Sequence, residues 1–195
     1  MIKAIIFDFF GVLLGEGFDA TYRYAGGDPS KDHDFIESLL DKVNRGLITT
    51  DEFRTRICHQ LSISEEEYQE ALTKAERPNH KLLGYIKTLR PKYKTAVLSN
   101  VGKGGLDRRI RLKVLEQYFD EIIASAEVGY IKPEREIYEL TASKLGVKME
   151  ECVFIDDRKV YVQAALALGM KAFLYIDFPQ MKAELERLLK EDASR

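Results

Sequence analysis

Six side chains along the chain are of types that do phosphate and metal chemistry: Asp8, the pair Ser99 and Asn100, Lys132, and the pair Asp156 and Asp157. Most sit at or just past the end of a short apolar run, and Lys132 lies a few residues beyond one. Magnesium takes hard oxygen ligands, usually one or two carboxylates together with water and phosphate oxygens. Asp8, Asp156 and Asp157 are the carboxylates on offer. Three carboxylates crowded together without a cation repel and raise one another's pKa. A metal relieves that repulsion and lets an anionic nucleophile approach a phosphate, and Lys132 adds a further positive charge. Ser99, Asn100 and the backbone N–H groups near Gly102, Gly104 and Gly105 suit phosphate oxygens. Brought to one edge, the set would make a magnesium and phosphate site.

Each residue also has a plainer reading. An Asp after a strand is commonly a turn or cap residue. Ser99 and Asn100 would serve as a helix N-cap, and Lys132–Pro133 would open a helix, since Pro suits the first turn. Asp156 and Asp157 would complement a helix dipole. Two features favour function: Asp8 is embedded in an apolar run, and two adjacent acids at a strand end are costly without a cation.

Positioning these residues requires a sheet. Five short apolar runs, Ala4–Phe7, Thr95–Leu98, Ile122–Ser125, Val153–Ile155 and Ala172–Ile176, read as strands buried on both faces of a parallel sheet. Helical spacing separates the later runs. Leu82, Tyr85, Ile86 and Leu89 form one stripe. Ile137, Leu140, Thr141, Lys144 and Leu145 form another, ending at Gly146, and Val162, Ala165, Leu166 and Leu168 a third, ending at Gly169. The alternation predicts an α/β, Rossmann-like three-layer core with a parallel sheet, whose ligands sit beyond the carboxyl ends of the strands. Residues 15–79 break the pattern. Asp32–Arg45 carries one apolar stripe, and Thr49 with Glu52 and Ser64 with Glu67 form capping-box patterns. The segment reads as an inserted helical cap, with 1–14 and 80–195 as the core. The tail Lys182–Arg195 reads as a charged amphipathic helix that frays.

Bulk properties exclude other classes. With 30 Lys and Arg against 32 Asp and Glu, the net charge is -2, which argues against a nucleic-acid partner. The basic stretch Arg108, Arg109, Arg111 and Lys113 reads as a solvated helix face. Lys3 ahead of an apolar run resembles a signal peptide, but Asp8 interrupts the run and no cleavage pattern follows. No apolar stretch of about 18 residues exists, so no membrane association is expected. Cys58 and Cys152 match no metal-ligand spacing and point to a reducing compartment, the cytoplasm. His33, His59 and His80 lack ligand spacing and read as surface or core residues. Tyr22, Arg23, Tyr24 and Arg45 are cap residues that would be able to face the site.

The segments "IIFDFFGVLL", "AVLSN", "VGYIKPEREIY" and "VFIDDRKVYVQAALALGM", in this order, resemble the haloacid dehalogenase-like hydrolase superfamily over essentially the whole chain. The likeness is greatest to its branch of sugar-phosphate phosphatases. It implies Asp8 as a nucleophile forming an aspartyl-phosphate, Ser99 and Asn100 as substrate-binding residues, and Lys132 as a catalytic residue steadying nucleophile and phosphate. It also implies Mg2+ held by Asp8, Asp156, Asp157 and the main-chain carbonyl of Phe10. The expected substrate is a small phosphorylated metabolite, and the expected assembly a monomer or weak homodimer. Three positions depart from the family pattern. Phe10 stands where most family phosphatases carry a second Asp as general acid and base, a group whose loss costs about 10²–10⁴-fold in rate. Tyr161 stands where many relatives have Asn, and Val12 where Thr is common. An aromatic residue two places after the nucleophile also occurs in the dehalogenase branch, so metal-independent dehalogenation is the rival reading. A weakly catalytic binding or regulatory protein is the third.

Overall fold

Isoleucine, valine and phenylalanine dominate the strands, and these β-favouring residues build one parallel sheet. The computed structural model describes every residue except Glu16, Ile110, Arg111 and Arg195, and leaves aside the side chains of Arg108, Arg109 and Leu112. The strands are β1 (Ala4–Phe7), β2 (Lys94–Ser99), β3 (Glu121–Ala124), β4 (Cys152–Asp156) and β5 (Lys171–Leu174), in the order β3-β2-β1-β4-β5. Ala4 of β1 pairs with Lys94 of β2 on one side and Cys152 of β4 on the other. The chain therefore winds outward from β1 through β2 to β3, then returns to lay β4 against the free side of β1. That reversal is where open α/β sheets bind ligands.

Alternation along β1 divides the core into two layers. Ile5 and Phe7 face a cluster with α5 (His80–Leu89) and α11 (Phe178–Ala193). Ala4 and Ile6 face a second cluster with α9 (Arg135–Leu145) and α10 (Lys159–Ala167). The result is the three-layer α/β architecture expected from the sequence. Short helices Gly105–Arg109, Leu112–Leu115 and Ser125–Val128 lie around β3, and a 3-10 turn at Met149–Glu151 leads into β4. Of the basic stretch read above, only Lys113 has a described side chain, and it is exposed. Among the described residues, no helix is long and apolar enough to cross a membrane.

Between β1 and α5 lie α1 (Phe18–Tyr24), α2 (His33–Asn44), α3 (Thr50–Leu61) and α4 (Glu65–Ala75). They gather Tyr22, Ile36, Leu39, Val43, Phe53, Ile57 and Tyr68 into a hydrophobic cluster of their own. Both capping boxes form, Thr49 with Glu52 and Ser64 with Glu67. The segments leaving and re-entering the core run side by side: Gly15 N–H donates to Arg77 O at 2.9 Å and Asn79 N–H to Leu13 O at 2.9 Å. Gly15, at φ +52°, is packed so tightly there that a Cβ would lie 1.8 Å from Ala75 O.

Two expectations differ from the structure. The last apolar run ends its strand at Leu174, because its partner β4 ends at Asp156 opposite it; beyond that point the Tyr175 hydroxyl accepts from Asn79 Nδ2 at 2.8 Å and Ile176 is exposed. The tail does not fray: helix α11 continues to Ala193, buries Met181 and Leu185, and anchors Asp192 to Lys171 Nζ at 2.8 Å and to the Ile2 N–H. Leu185→Ala is accordingly expected to lower the unfolding free energy by about 2–4 kcal/mol, as for other fully buried leucines. Denaturant unfolding checks this; a loss below about 0.5 kcal/mol, the range of ordinary surface changes, would mean the helix is not docked.

Candidate active site

Asp8 follows β1, Ser99 ends β2 and Asp156 ends β4, so parallel register alone carries three of the six residues to one edge. Lys132 reaches them from the loop ahead of α9 and is 1 % exposed. Its ammonium donates to Asp8 Oδ1 at 2.6 Å and to Asp156 Oδ2 at 2.7 Å. Carboxylate oxygens of Asp8, Asp156 and Asp157 lie within 4.8 Å of one another, with Asp157 the outward-facing member. Asp8, Ser99, Lys132, Asp156 and Asp157 thus stand at the same end of the sheet.

The backbone is shaped to hold them. Gly11, at φ +79°, lets the turn after Asp8 pass close to Asp157; a Cβ there would lie 2.2 Å from Asp157 Oδ2. Asp156 Oδ1 accepts the Arg158 backbone N–H at 2.8 Å, which fixes the carboxylate whose other oxygen meets Lys132. Asn100 clamps the lysine loop: its Oδ1 accepts the Lys132 N–H at 2.8 Å and its Nδ2 donates to the Lys132 carbonyl at 2.9 Å. Both ends of the amide are thereby engaged with the main chain of Lys132, which positions the lysine loop.

Electrostatics follow from packing. Burial pushes the Asp8 carboxyl up to about 7, with Lys132 opposing the rise and Asp156 adding to it. Burial lifts Asp157 to about 6, again with Asp156 adding to the rise. Burial would discharge Lys132, but the Asp8 and Asp156 carboxylates outweigh it and hold the ammonium charged. One buried cation faces three carboxylates, which leaves negative charge uncompensated. A hard divalent ion fits that donor set. Ser99 Oγ is buried and has no hydrogen-bond partner among the described residues, the mark of a hydroxyl that lacks its acceptor or donor.

A cleft of about 370 Å³ opens over this end of the sheet. Asp8, Phe10, Asn100, Lys132 and Asp157 line it from the core, with Arg158 and Tyr161 beside them. Helices α1 and α2 line it from the other side through Phe18, Asp19, His33, Leu40 and Asn44. None of the four cap residues singled out from the sequence lines the cleft. Tyr22 is buried and donates to Asp32 at 2.8 Å, Arg23 and Tyr24 are exposed, and Arg45 pairs with Asp41 and Glu134. Arg158 is not among the residues that the sequence singles out, and Tyr161 enters there only as a departure from the family pattern. Their signal was position: both belong to the start of the helix that opens directly after the paired acids.

Comparison with known proteins is consistent with this geometry. The family model for haloacid dehalogenase-like hydrolases matches residues 2–169. The D-ribitol-5-phosphate phosphatase of Bacteroides thetaiotaomicron is 27% identical over 188 residues, 89% of this chain and 91% of that protein. A predicted HAD-like family hydrolase from Porphyromonas gingivalis superposes with TM-score 0.78 at 27% identity, covering 97% of this chain and 98% of that one. A HAD family enzyme of B. thetaiotaomicron, solved in complex with magnesium and inorganic phosphate, superposes with TM-score 0.70 at 23% identity, covering 93% and 99%.

Both raised carboxyls carry a stability consequence. Each has a folded pKa above its unfolded value, so its contribution is full below about pH 4 and is lost as pH rises through 6 to 7. A bound cation needs these groups ionised and offsets that loss. The rise in Tm on adding saturating magnesium is therefore expected to be several degrees larger at pH 8 than at pH 5. Equal shifts at the two pH values in thermal melts would show that the three carboxylates do not bind the ion.

Proposed function

The chain belongs to the haloacid dehalogenase-like hydrolase family, and on that premise we propose that it is a magnesium-dependent phosphatase of small phosphorylated metabolites, acting through an aspartyl-phosphate on Asp8. The observation that carries this reading is the buried Lys132 ammonium bridging Asp8 and Asp156, with Asp157 close by. Lys132 holds one oxygen of Asp8 and leaves the other for phosphorus. The Asp8–phosphorus bond forms as the ester P–O bond breaks, and the electron pair leaves on the ester oxygen, which takes its proton from water. Water then attacks phosphorus, releasing phosphate and restoring Asp8. Ser99 Oγ, buried and unpartnered, is the group assigned to a phosphate oxygen.

Asp8, Asp156, Asp157 and the Phe10 carbonyl are the groups that would hold Mg2+, which supplies charge neutralisation for the phosphate when bound. Residues 15–79 act as the cap: Phe18, Asp19 and Leu40 face the catalytic floor across the cleft, exclude water and bear on the choice of substrate. The curated relative that acts on D-ribitol 5-phosphate supports a sugar or polyol phosphate as substrate. Two buried free cysteines, Cys58 and Cys152, support a cytoplasmic location.

Phe10 lines the cleft and packs edge-on against Phe9, with ring centroids 5.0 Å apart. An aromatic ring there cannot protonate a leaving group. The metal-independent dehalogenase reading would suit that ring, since a halide leaves unprotonated, but it leaves the three crowded carboxylates with Lys132 alone to balance them.

The test is release of phosphate from p-nitrophenyl phosphate, abolished by chelator and reduced at least about 10³-fold by Asp8→Asn. Chloride release from 2-chloropropionate without metal would establish the rival instead. Inertness toward both, with magnesium-dependent binding of a phosphorylated ligand, would establish the binding protein. Phe10→Asp is expected to speed hydrolysis of sugar phosphates about tenfold or more while changing p-nitrophenyl phosphate hydrolysis much less. Equal effects on both substrates would show that leaving-group protonation does not limit the rate.

A further inference from the structure

Tyr161 is one helical turn past Asp157 and 9 % exposed. Its ring stands between two cations. Lys132 Nζ lies 5.0 Å from the ring centroid, and the Arg158 guanidinium carbon 4.9 Å from it. The hydroxyl accepts from Arg158 Nη1 at 3.1 Å and from Asn100 Nδ2 at 3.3 Å, so it touches the clamp on the lysine loop as well. From behind, the Tyr161 carbonyl accepts from the hydroxyl of buried Tyr138 at 3.0 Å, and Tyr138 packs edge-on against Phe154 of β4 with centroids 5.4 Å apart. The ring is thus fixed to the sheet.

The two cations differ in what they have left to offer. Lys132 is 1 % exposed and already donates to Asp8 and Asp156. Arg158 lines the cleft, is half-exposed, and its ion pair with Glu37 of α2 is long at 3.9 Å, with both partners half-exposed. Such a pair is weak and readily exchanged. A guanidinium stacked on an aromatic ring keeps its planar fork of donors in one orientation, the arrangement that suits oxygen acceptors in pairs.

We propose that Tyr161 is a positioning residue for both cations: it steadies the Lys132 ammonium against Asp8 and Asp156, and it holds the Arg158 guanidinium at the cleft wall to bind oxygen acceptors on the leaving-group half of the phosphate ester. The proposal rests on the phosphatase reading and deepens it. Arg158 becomes a specificity-determining residue that exchanges Glu37 for substrate, and the favoured leaving group carries neighbouring hydroxyls or a carboxylate.

Steady-state kinetics with D-ribitol 5-phosphate and p-nitrophenyl phosphate, with magnesium present, test it on three variants. Tyr161→Phe keeps the ring and loses the hydroxyl; KM for ribitol 5-phosphate should rise about tenfold, by more than kcat falls. Arg158→Met should reproduce that rise. Tyr161→Leu loses the ring as well and should lower kcat about tenfold further on both substrates, a loss that the Phe variant rescues. Thermal melts of each variant accompany the rates. If Phe and Leu lower kcat together and in step with their melting temperatures, Tyr161 is only structural. If Arg158→Met keeps the wild-type KM, or the wild type gains nothing with ribitol 5-phosphate over p-nitrophenyl phosphate, the substrate half is wrong. A wild type inert toward both phosphates would instead overturn the phosphatase reading and the proposal with it.

Discussion

A single ammonium group, buried where water cannot screen it, meets two carboxylates at 2.6 and 2.7 Å, and most of what distinguishes this end of the molecule exists to keep it there. An unpaired buried charge is strongly destabilising, whereas a paired and hydrogen-bonded one is tolerated. Lys132 therefore needs Asp8 and Asp156 as much as they need it. Its main chain is locked by Asn100, and its charge rests over the rings of Tyr161 and Phe154. The third carboxylate, Asp157, tips the balance. Burial, with Asp156 adding to it, lifts the Asp8 and Asp157 carboxyls, and one cation against three acids leaves negative charge that a bound divalent ion would neutralise.

The sheet supplies the precision that such an arrangement requires. Strands buried on both faces cannot slip in register without burying the wrong side chains, so the ends of β1, β2 and β4 are fixed relative to one another. The helical segment is tied to the same framework at several points. Ser125 Oγ donates to Asn44 O at 2.7 Å, Thr50 Oγ1 donates to Lys103 O at 3.1 Å, and Arg45 Nη2 meets Glu134 at 2.7 Å. Glu134 in turn accepts the Ile131 N–H at 3.0 Å, next to Lys132. Arg45, one of the four cap residues that the sequence offered as able to face the site, instead joins α2 to the loop that carries the lysine.

Phe10 and Tyr161 are two of the three places, with Val12, where this chain departs from the pattern of the family's phosphatases. Phe10 puts an aromatic wall where proton transfer would be expected. Tyr161 puts a ring between two cations where a small amide is common. Both residues give the cleft an aromatic lining; on the proposed reading, water supplies the leaving-group proton and Arg158 contacts the leaving group.

Much of the fold was legible in the sequence, because it depends on local periodicity and on strong punctuation. The apolar runs marked the strands to within two residues, Gly146 and Gly169 stand just past their helices, and Thr49 with Glu52 and Ser64 with Glu67 announced their capping boxes. The chemically capable residues were legible too, since Asp8 is embedded in an apolar run and Asp156 and Asp157 are adjacent acids at a strand end. The tail was misread because its charges suggested fraying, and only tertiary contact shows that Met181 and Leu185 are its anchor. Asn100 was assigned to phosphate, and only the fold reveals that the Lys132 loop, 32 residues away, takes both ends of its amide. The sequence by itself determined which side chains are available and which strand ends carry them, because periodicity and residue type are local properties. Tertiary structure alone decided who touches whom across the cleft, because those partners lie far apart in sequence and only packing brings them within a hydrogen bond's length.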